Sequence, residues 1–217
     1  MTANWTAERS IQEGLFGYSV SKAGDVNCDG FFDVIVGATI FYNGISNYHY
    51  GKVSVYSGSA TGLYPTANYA AVSNQDSSKF NWSVSTAGDV NFDGYSEVIV
   101  SAPYYNIGQS NEGKVFVFHD SASGLQIYEK WTAECYVEEA VIGTCISSAG
   151  DLNGDCYSEV IVGVSDFSFS GEMVGGTFVY FGSVTGIYLD FETVLEGFLT
   201  YKNIVTSVST EGDVNMD

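Results

Sequence analysis

Ala23-Gly24-Asp25-Val26-Asn27-Cys28-Asp29-Gly30-Phe31-Phe32-Asp33 runs directly into the apolar stretch Val34-Ile35-Val36-Gly37-Ala38, and the fold can be read from it. It recurs as Ala87-Gly88-Asp89-Val90-Asn91-Phe92-Asp93-Gly94-Tyr95-Ser96-Glu97 before Val98-Ile99-Val100. It recurs again as Ala149-Gly150-Asp151-Leu152-Asn153-Gly154-Asp155-Cys156-Tyr157-Ser158-Glu159 before Val160-Ile161-Val162. A fourth copy opens at Gly212-Asp213-Val214-Asn215-Met216-Asp217. The leading aspartates lie 64, 62 and 62 residues apart, a period that predicts a repeat architecture.

Outward from each copy the chain parses the same way. A strand rich in small residues precedes the acidic loop, over 16–21, 80–85 and 142–147. The apolar strand follows, ending in Gly37-Ala38, Ser101-Ala102-Pro103 or Gly163-Val164. A polar connection leads to a third strand, over 51–56, 113–118 and 176–181. A turn through Gly62, Gly124 or Gly186 then precedes a fourth strand. That strand carries an aromatic residue 20 places before the next leading aspartate, at Trp5, Tyr69 and Trp131, and Thr193 breaks the pattern. Four strands in about 62 residues predict an all-β chain of β-propeller blades, each of four antiparallel strands. The apolar second strand fits a sheet covered on both faces. The whole chain, 1–217, reads as one segment, with repeats at about 15–72, 80–133 and 142–195 and a partial one at 203–217.

Composition agrees and narrows the function. With 45% apolar residues, 16 Tyr and 14 Phe, the chain can fill a core. A formal net charge of −19 argues against nucleic acid and anionic membrane surfaces as partners. Nine of the 26 acids stand in the three complete loops, and one divalent cation per loop would bring −19 to −13. No apolar run is long enough to span a bilayer. Two sequons, at Asn4 and Asn81, fit an extracellular setting. The four cysteines lack the Cys-x-x-Cys spacing of a zinc site and leave a disulfide open.

The loop spacing suits calcium, which takes six to eight oxygen ligands. In the first loop Asp25, Asn27 and Asp29 occupy positions 1, 3 and 5, Phe31 can offer its carbonyl at position 7, and Asp33 closes position 9. The second loop supplies Asp89, Asn91, Asp93, Tyr95 and Glu97, and the third Asp151, Asn153, Asp155, Tyr157 and Glu159. About one Ca2+ per complete repeat is expected. Gly30 and Gly94 at position 6 permit the sharp turn, whereas the third loop has Gly154 before Asp155 and Cys156 at position 6, predicting strain there. The same Asp and Asn residues can alternatively serve only to shape turns through side-chain hydrogen bonds.

Phe16-Gly17, the Asp-x-Asn-x-Asp-Gly loop, the Val-Ile-Val strand and Ser101-Ala102-Pro103 together resemble FG-GAP repeats, over nearly the whole chain. That family is best known from the N-terminal propeller of integrin α chains and from secreted or surface proteins of microbes. The resemblance implies the same ligand roles at the loop positions above. It also implies a seven-bladed propeller, of which about three and a half repeats are present here. Such a number cannot close a ring, so either the rest of a longer chain or a second copy would have to complete it. In FG-GAP propellers the connection between strands two and three resembles those lining a ligand face opposite the metal loops. In this chain that connection carries Phe41, Tyr42, Tyr104, Tyr105, Phe167 and Phe169, which either meet a protein or glycan ligand or pack between blades.

Catalysis is not expected. His49 and His119 stand in non-equivalent contexts, and no nucleophile elbow, metalloprotease helix or phosphate loop is present. The functional expectation is a calcium-stabilised extracellular propeller module for adhesion or ligand binding. The alternative is a structural subunit that self-assembles through its open blades into a ring or filament. A place within a polysaccharide-active enzyme is the weakest reading.

Overall fold

The computed structural model describes residues 5–7, 14–41, 49–121, 125–126, 130–167, 175–188, 193–196 and 207–209, so the fourth motif lies outside the described residues. Among them are twelve strands. These are β1 (Phe16–Gly24), β2 (Asp33–Phe41), β3 (Tyr50–Tyr56), β4 (Tyr69–Val72), β5 (Val84–Gly88), β6 (Glu97–Ala102), β7 (Lys114–Phe118), β8 (Trp131–Ala133), β9 (Ile142–Gly150), β10 (Glu159–Val164), β11 (Gly176–Tyr180) and β12 (Thr193–Glu196). They form three antiparallel sheets of four strands, each in chain order, here blades 1, 2 and 3. The expected fourth strands begin at Tyr69, Trp131 and Thr193, so the missing aromatic at Thr193 does not prevent a strand.

The first strands run three residues further than the sequence expectation, to Gly24, Gly88 and Gly150, and one strand start differs by more than a residue. β5 starts at Val84 rather than at residue 80. Lys79 and Asn81 adopt positive φ, at 54° and 63°, and Trp82 donates its N–H to the Lys79 carbonyl. Phe80–Ser83 therefore turns before the ladder begins, and Asn81 reaches back into blade 1, where its Nδ2 donates to the Ala38 carbonyl at 3.3 Å.

Every inner strand also ends in the same irregularity. The pairing slips at Lys22/Gly24, at Thr86/Gly88 and beside Gly150, as a β-bulge would produce. In blade 2 the Thr86 Oγ1 accepts the Gly88 N–H at 3.0 Å, and in blade 3 the Ser148 Oγ accepts the Gly150 N–H at 3.1 Å. The bulge turns the chain out of the sheet and into the acidic loop.

The blades stack through two continuous apolar layers. Ile35, Val53 and Val55 of blade 1 meet Val84, Val98, Val100, Phe116 and Phe118 of blade 2. Ile99, Val115 and Val117 of blade 2 meet Ile146, Val160, Val162 and Phe178 of blade 3. Each fully buried Val, Ile or Phe contributes about 1.5–3 kcal/mol, so these layers dominate the favourable side of folding. Backbone bonds lock the junctions: Ser96 N–H donates to the Asp25 carbonyl at 3.0 Å, and Ser158 N–H to that of Asp89 at 2.9 Å.

The outer strands add a second link. Trp131 of blade 2 meets Tyr180 of blade 3 edge-to-face, with ring centres 4.8 Å apart, and donates its indole N–H to the Tyr188 carbonyl at 3.2 Å. Trp5 makes the equivalent contacts with blade 1, on Tyr56 at 5.2 Å and to the Tyr64 carbonyl at 3.0 Å. Trp131→Phe keeps the ring and loses the donor. It is expected to cost about 1 kcal/mol in urea unfolding, the usual worth of one hydrogen bond.

Candidate metal loops and partner face

The three acidic loops share one hydrogen-bond pattern. In loop 1, Asp25 Oδ1 accepts the Asp29 N–H at 3.0 Å and its Oδ2 the Gly30 N–H at 2.8 Å. Asn27 Oδ1 accepts the Asp29 N–H at 3.1 Å, and Asp29 Oδ1 accepts the Phe31 N–H at 2.9 Å. Loop 2 repeats these bonds with Asp89, Asn91 and Asp93, the last accepting the Tyr95 N–H at 3.0 Å. Loop 3 repeats them with Asp151, Asn153 and Asp155, the last accepting the Tyr157 N–H at 3.0 Å. The turn-shaping role is therefore present in all three. It fixes the side-chain oxygens at positions 1, 3 and 5 of each loop without exhausting their lone pairs.

The backbone explains why the third loop can follow the others. Position 6 is left-handed in each, with φ of 86° at Gly30, 89° at Gly94 and 74° at Cys156. Position 4 is left-handed too, with φ of 54° at Cys28, 58° at Phe92 and 76° at Gly154. Each loop thus needs two such residues and has one glycine to fill them. The third places its glycine at position 4 and strains Cys156, whereas the first two place it at position 6 and strain Cys28 and Phe92. Strain at position 6 of loop 3 is matched by relief at position 4.

The position-9 acids begin the second strand of each blade and are completely buried. Asp33 accepts from Val26 N–H at 2.9 Å and Gly58 N–H at 2.7 Å, which occupies both its oxygens. Glu97 and Glu159 use Oε2 for the equivalent first bond, to Val90 at 2.9 Å and to Leu152 at 2.5 Å. Their Oε1 atoms are buried without a well-formed partner. Burial raises all three carboxyls, Glu97 to about 8, with the neighbouring loop aspartates adding to it. The backbone N–H groups of Asp120 and Gly182 offset part of the rise at Glu97 and Glu159.

These observations test the fit of a cation. A buried carboxyl beside two or three further acids is stabilised as its anion by a divalent ion and disfavoured without one. Oxygens of Asp151, Asp155 and Glu159 lie within 4.8 Å of one another, the one such three-acid group among the described residues. The loop with the least regular sequence thus has the most converged carboxylates, and it can hold a metal ion.

One acid escaped the sequence reading. Asp120 stands where blades 1 and 3 have Gly58 and Gly182, just after the third strand. It is buried, and its Oδ2 has no partner. Burial, with Asp33 and Asp93 nearby, pushes its carboxyl up to about 7. Aligning Ser57-Gly58, His119-Asp120 and Phe181-Gly182 would have exposed it. Asp120→Asn is expected to stabilise the metal-free chain at pH 8 by on the order of 1–3 kcal/mol in urea unfolding, because it removes an unpaired buried charge.

The aromatics of the second connection divide. Tyr105 packs on Phe116 at 5.7 Å and donates its hydroxyl to Asn74 Oδ1 at 2.8 Å. Phe167 is buried against Phe178 at 5.2 Å, and Phe41 lies beneath the Lys52 ammonium at 4.8 Å. Tyr42 and Phe169 lie outside the described residues. Of the four that are described, Tyr104 alone belongs to an exposed group: it meets Trp82 at 6.4 Å, and Trp82 meets Tyr18 at 5.1 Å. Tyr18 and Tyr104 are 44% and 39% exposed. This row crosses the junction of blades 1 and 2 at the end opposite the acidic loops. Tyr18 and Trp82 each follow the first two residues of their repeat, Phe16-Gly17 and Phe80-Asn81, and that shared position was the available signal.

All four cysteines are free thiols, and burial pushes that of Cys135 up to about 11. No described helix is long and apolar enough to cross a membrane.

Four-stranded blades joined by acidic loops define a β-repeat module with candidate metal sites at one end and exposed aromatics at the other. The FG-GAP repeat model matches residues 16–56 and 80–118, and over these residues the chain belongs to the FG-GAP repeat family. The chain is 31% identical over 180 residues to integrin alpha pat-2 of Caenorhabditis briggsae, covering 75% of this chain and 14% of that protein. It is 32% identical over 154 residues to human integrin alpha-6, covering 70% of this chain and 13% of the relative. The chain therefore spans about one seventh of the length of these relatives.

Proposed function

We propose that the chain is a calcium-stabilised, extracellular ligand-binding segment of a β-propeller, with one Ca2+ in each complete loop. The observation that carries this reading is the threefold loop pattern, in which Asp, Asn and Asp at positions 1, 3 and 5 make the same hydrogen bonds and a buried acid follows at position 9, with the carboxylates of loop 3 within 4.8 Å of one another. The ion neutralises carboxylates that would otherwise repel and ties the loop to the start of the next strand. Asp25, Asn27, Asp29 and Asp33, with their counterparts in the other two loops, supply side-chain oxygens. Phe31, Tyr95 and Tyr157 supply carbonyls. The opposite end, with Tyr18, Trp82 and Tyr104, meets a protein or glycan partner through aromatic surface that is already in place.

Terbium, which substitutes for calcium and is excited through nearby phenol rings, tests the assignment. Tyrosine-sensitised emission is expected, falling by about half in Tyr95→Phe or Tyr157→Phe and disappearing with excess calcium. Emission untouched by both substitutions would remove the metal from these loops.

A second reading has its own observation. Val20 of β1 is 60% exposed, whereas its counterparts Val84 and Ile146 are 6% and 4% exposed because the preceding blade covers them. The β1 face is thus shaped to take another blade, from a longer chain or from a second copy. Mass measured by light scattering, with Val20→Lys as the control, separates self-association from a monomer.

A further inference from the structure

The connection between β6 and β7 is built unlike a solvent loop. Glu112, almost completely buried, lies beneath it and accepts three backbone N–H groups on Oε1, from Ile107 at 2.6 Å, Gly108 at 2.7 Å and Gln109 at 3.3 Å. The segment before β5 grips one side, where Gln75 donates Nε2 to the Asn106 carbonyl at 2.8 Å and accepts the Asn106 N–H at 2.7 Å. The segment before β9 grips the other. Asn111 Nδ2 reaches both Glu139 oxygens at 3.1 and 3.2 Å, and Glu139 N–H returns to the Ser110 carbonyl at 2.9 Å. Gln109 Nε2 donates to the Tyr136 carbonyl at 3.1 Å. A loop held by this many bonds is fixed before anything binds to it.

Above this loop is an open pocket of about 570 Å³, lined by Asn106, Ile107, Gly108, Gln109, Ser110 and Glu138. The groups it presents are a side-chain amide from Asn106, the Oε1 of Gln109, the Ser110 hydroxyl and the Glu138 carboxylate. Asn106 Oδ1 accepts the Asn111 N–H at 2.7 Å, so its Nδ2 is the atom it presents, and no hydrogen bond engages that Nδ2 or the other three groups among the described residues. Ile107, 41% exposed, adds apolar surface beside them. Amides and a carboxylate pair with adjacent hydroxyl groups, and an apolar side chain covers the C–H face of a sugar ring. The space is of the size a mono- or disaccharide fills.

We infer that this pocket is a saccharide-binding site that takes neutral or amino sugars and excludes sulfated and sialylated ones. The exclusion follows from charge. Glu138 lines the pocket, Glu139 follows it on the same segment, and the whole chain carries −19. The pocket needs neither a metal ion nor the Tyr18–Trp82–Tyr104 row, so its failure and that of the proposed function are separable.

The probe is an array of neutral, amino, sulfated and sialylated oligosaccharides, presented to the whole chain with calcium and again with chelator. Retention of neutral or amino glycans is expected under both conditions. It should fall at least tenfold in Gln109→Ala and Glu138→Ala and stay unchanged in Val184→Ala, an exposed position after β11 that belongs to neither binding surface. Both pocket residues are exposed, so equal melting temperatures would show that the variants fold. Glu138→Gln should restore neutral-glycan binding in part and relax the exclusion of sialylated ones. Absence of any neutral or amino glycan, binding to acidic glycans alone, or binding that survives both pocket variants would overturn the assignment.

Discussion

Gly51→Ala is expected to destabilise the chain by more than about 3 kcal/mol, the range of severe overpacking against rigid backbone. Gly51 lies in β3, and an added Cβ would run into the Phe80 carbonyl oxygen, with the Phe80 Cβ at 2.8 Å. These atoms belong to the tight turn before β5, which Asn81 pins to blade 1, so they cannot retreat without parting the two blades. The corresponding glycine of blade 2, Gly113, meets the Ile142 backbone in the same way and forms a parallel bridge with it. Gly108→Ala is the control: nothing lies within 4 Å of its Cβ position, and a change within about 0.5 kcal/mol is expected. Urea unfolding of the two variants side by side checks the pair.

Calcium is expected to have a larger effect. At a hundredfold excess over Kd, each site adds about 2.7 kcal/mol, so three independent sites add about 8 kcal/mol. For a chain of this size that raises Tm by upward of about 15 °C. The metal also changes how stability responds to pH. Without it, Glu97 holds its proton more tightly when folded, with a pKa of about 8 against 4.5 when unfolded. Its contribution is fully present below about pH 4.5 and is lost as pH rises towards 8, by up to about 4 kcal/mol. Burial shifts Asp33 and Glu159 in the same direction, so they steepen the loss. Bound calcium holds these acids ionised and should flatten or invert the slope. Urea midpoints at pH 5 and pH 8, in chelator and in calcium, measure both effects.

Much of this architecture was legible because it is local and repeated. The Val-Ile-Val strands, the start of β12 at Thr193 and the three acidic loops all follow from spacing along one chain. Closer reading of the same loops misses what depends on φ. The need for two left-handed residues explains why Gly154 serves loop 3 as Gly30 serves loop 1, and residue type at position 6 alone suggested only a defect. Long-range packing was less legible still. Phe167 and Tyr105 are drawn into blade cores by β11 and β7, while Tyr18 and Trp82, distant in sequence, become neighbours of one another and of Tyr104. Asp120 was hidden for another reason. Its burial depends on a neighbouring blade, and no rule of composition places an unpaired acid there. The turn before β5 was misread as strand because Asn81 takes a positive φ to bond across the junction, a choice made by blade 1 and not by its own neighbours.

The central claim is that the acidic loops hold calcium, and native mass spectrometry tests it most directly. In calcium, each chain should carry three ions at loops 1 to 3, counted apart from any in the fourth motif by truncating residues 212–217. Chelation should remove all of them, and Asp25→Ala, Asp89→Ala and Asp151→Ala should each remove one. A chain that carries no specific calcium, and is equally stable in chelator, would contradict the account and leave the aspartates as shapers of turns alone.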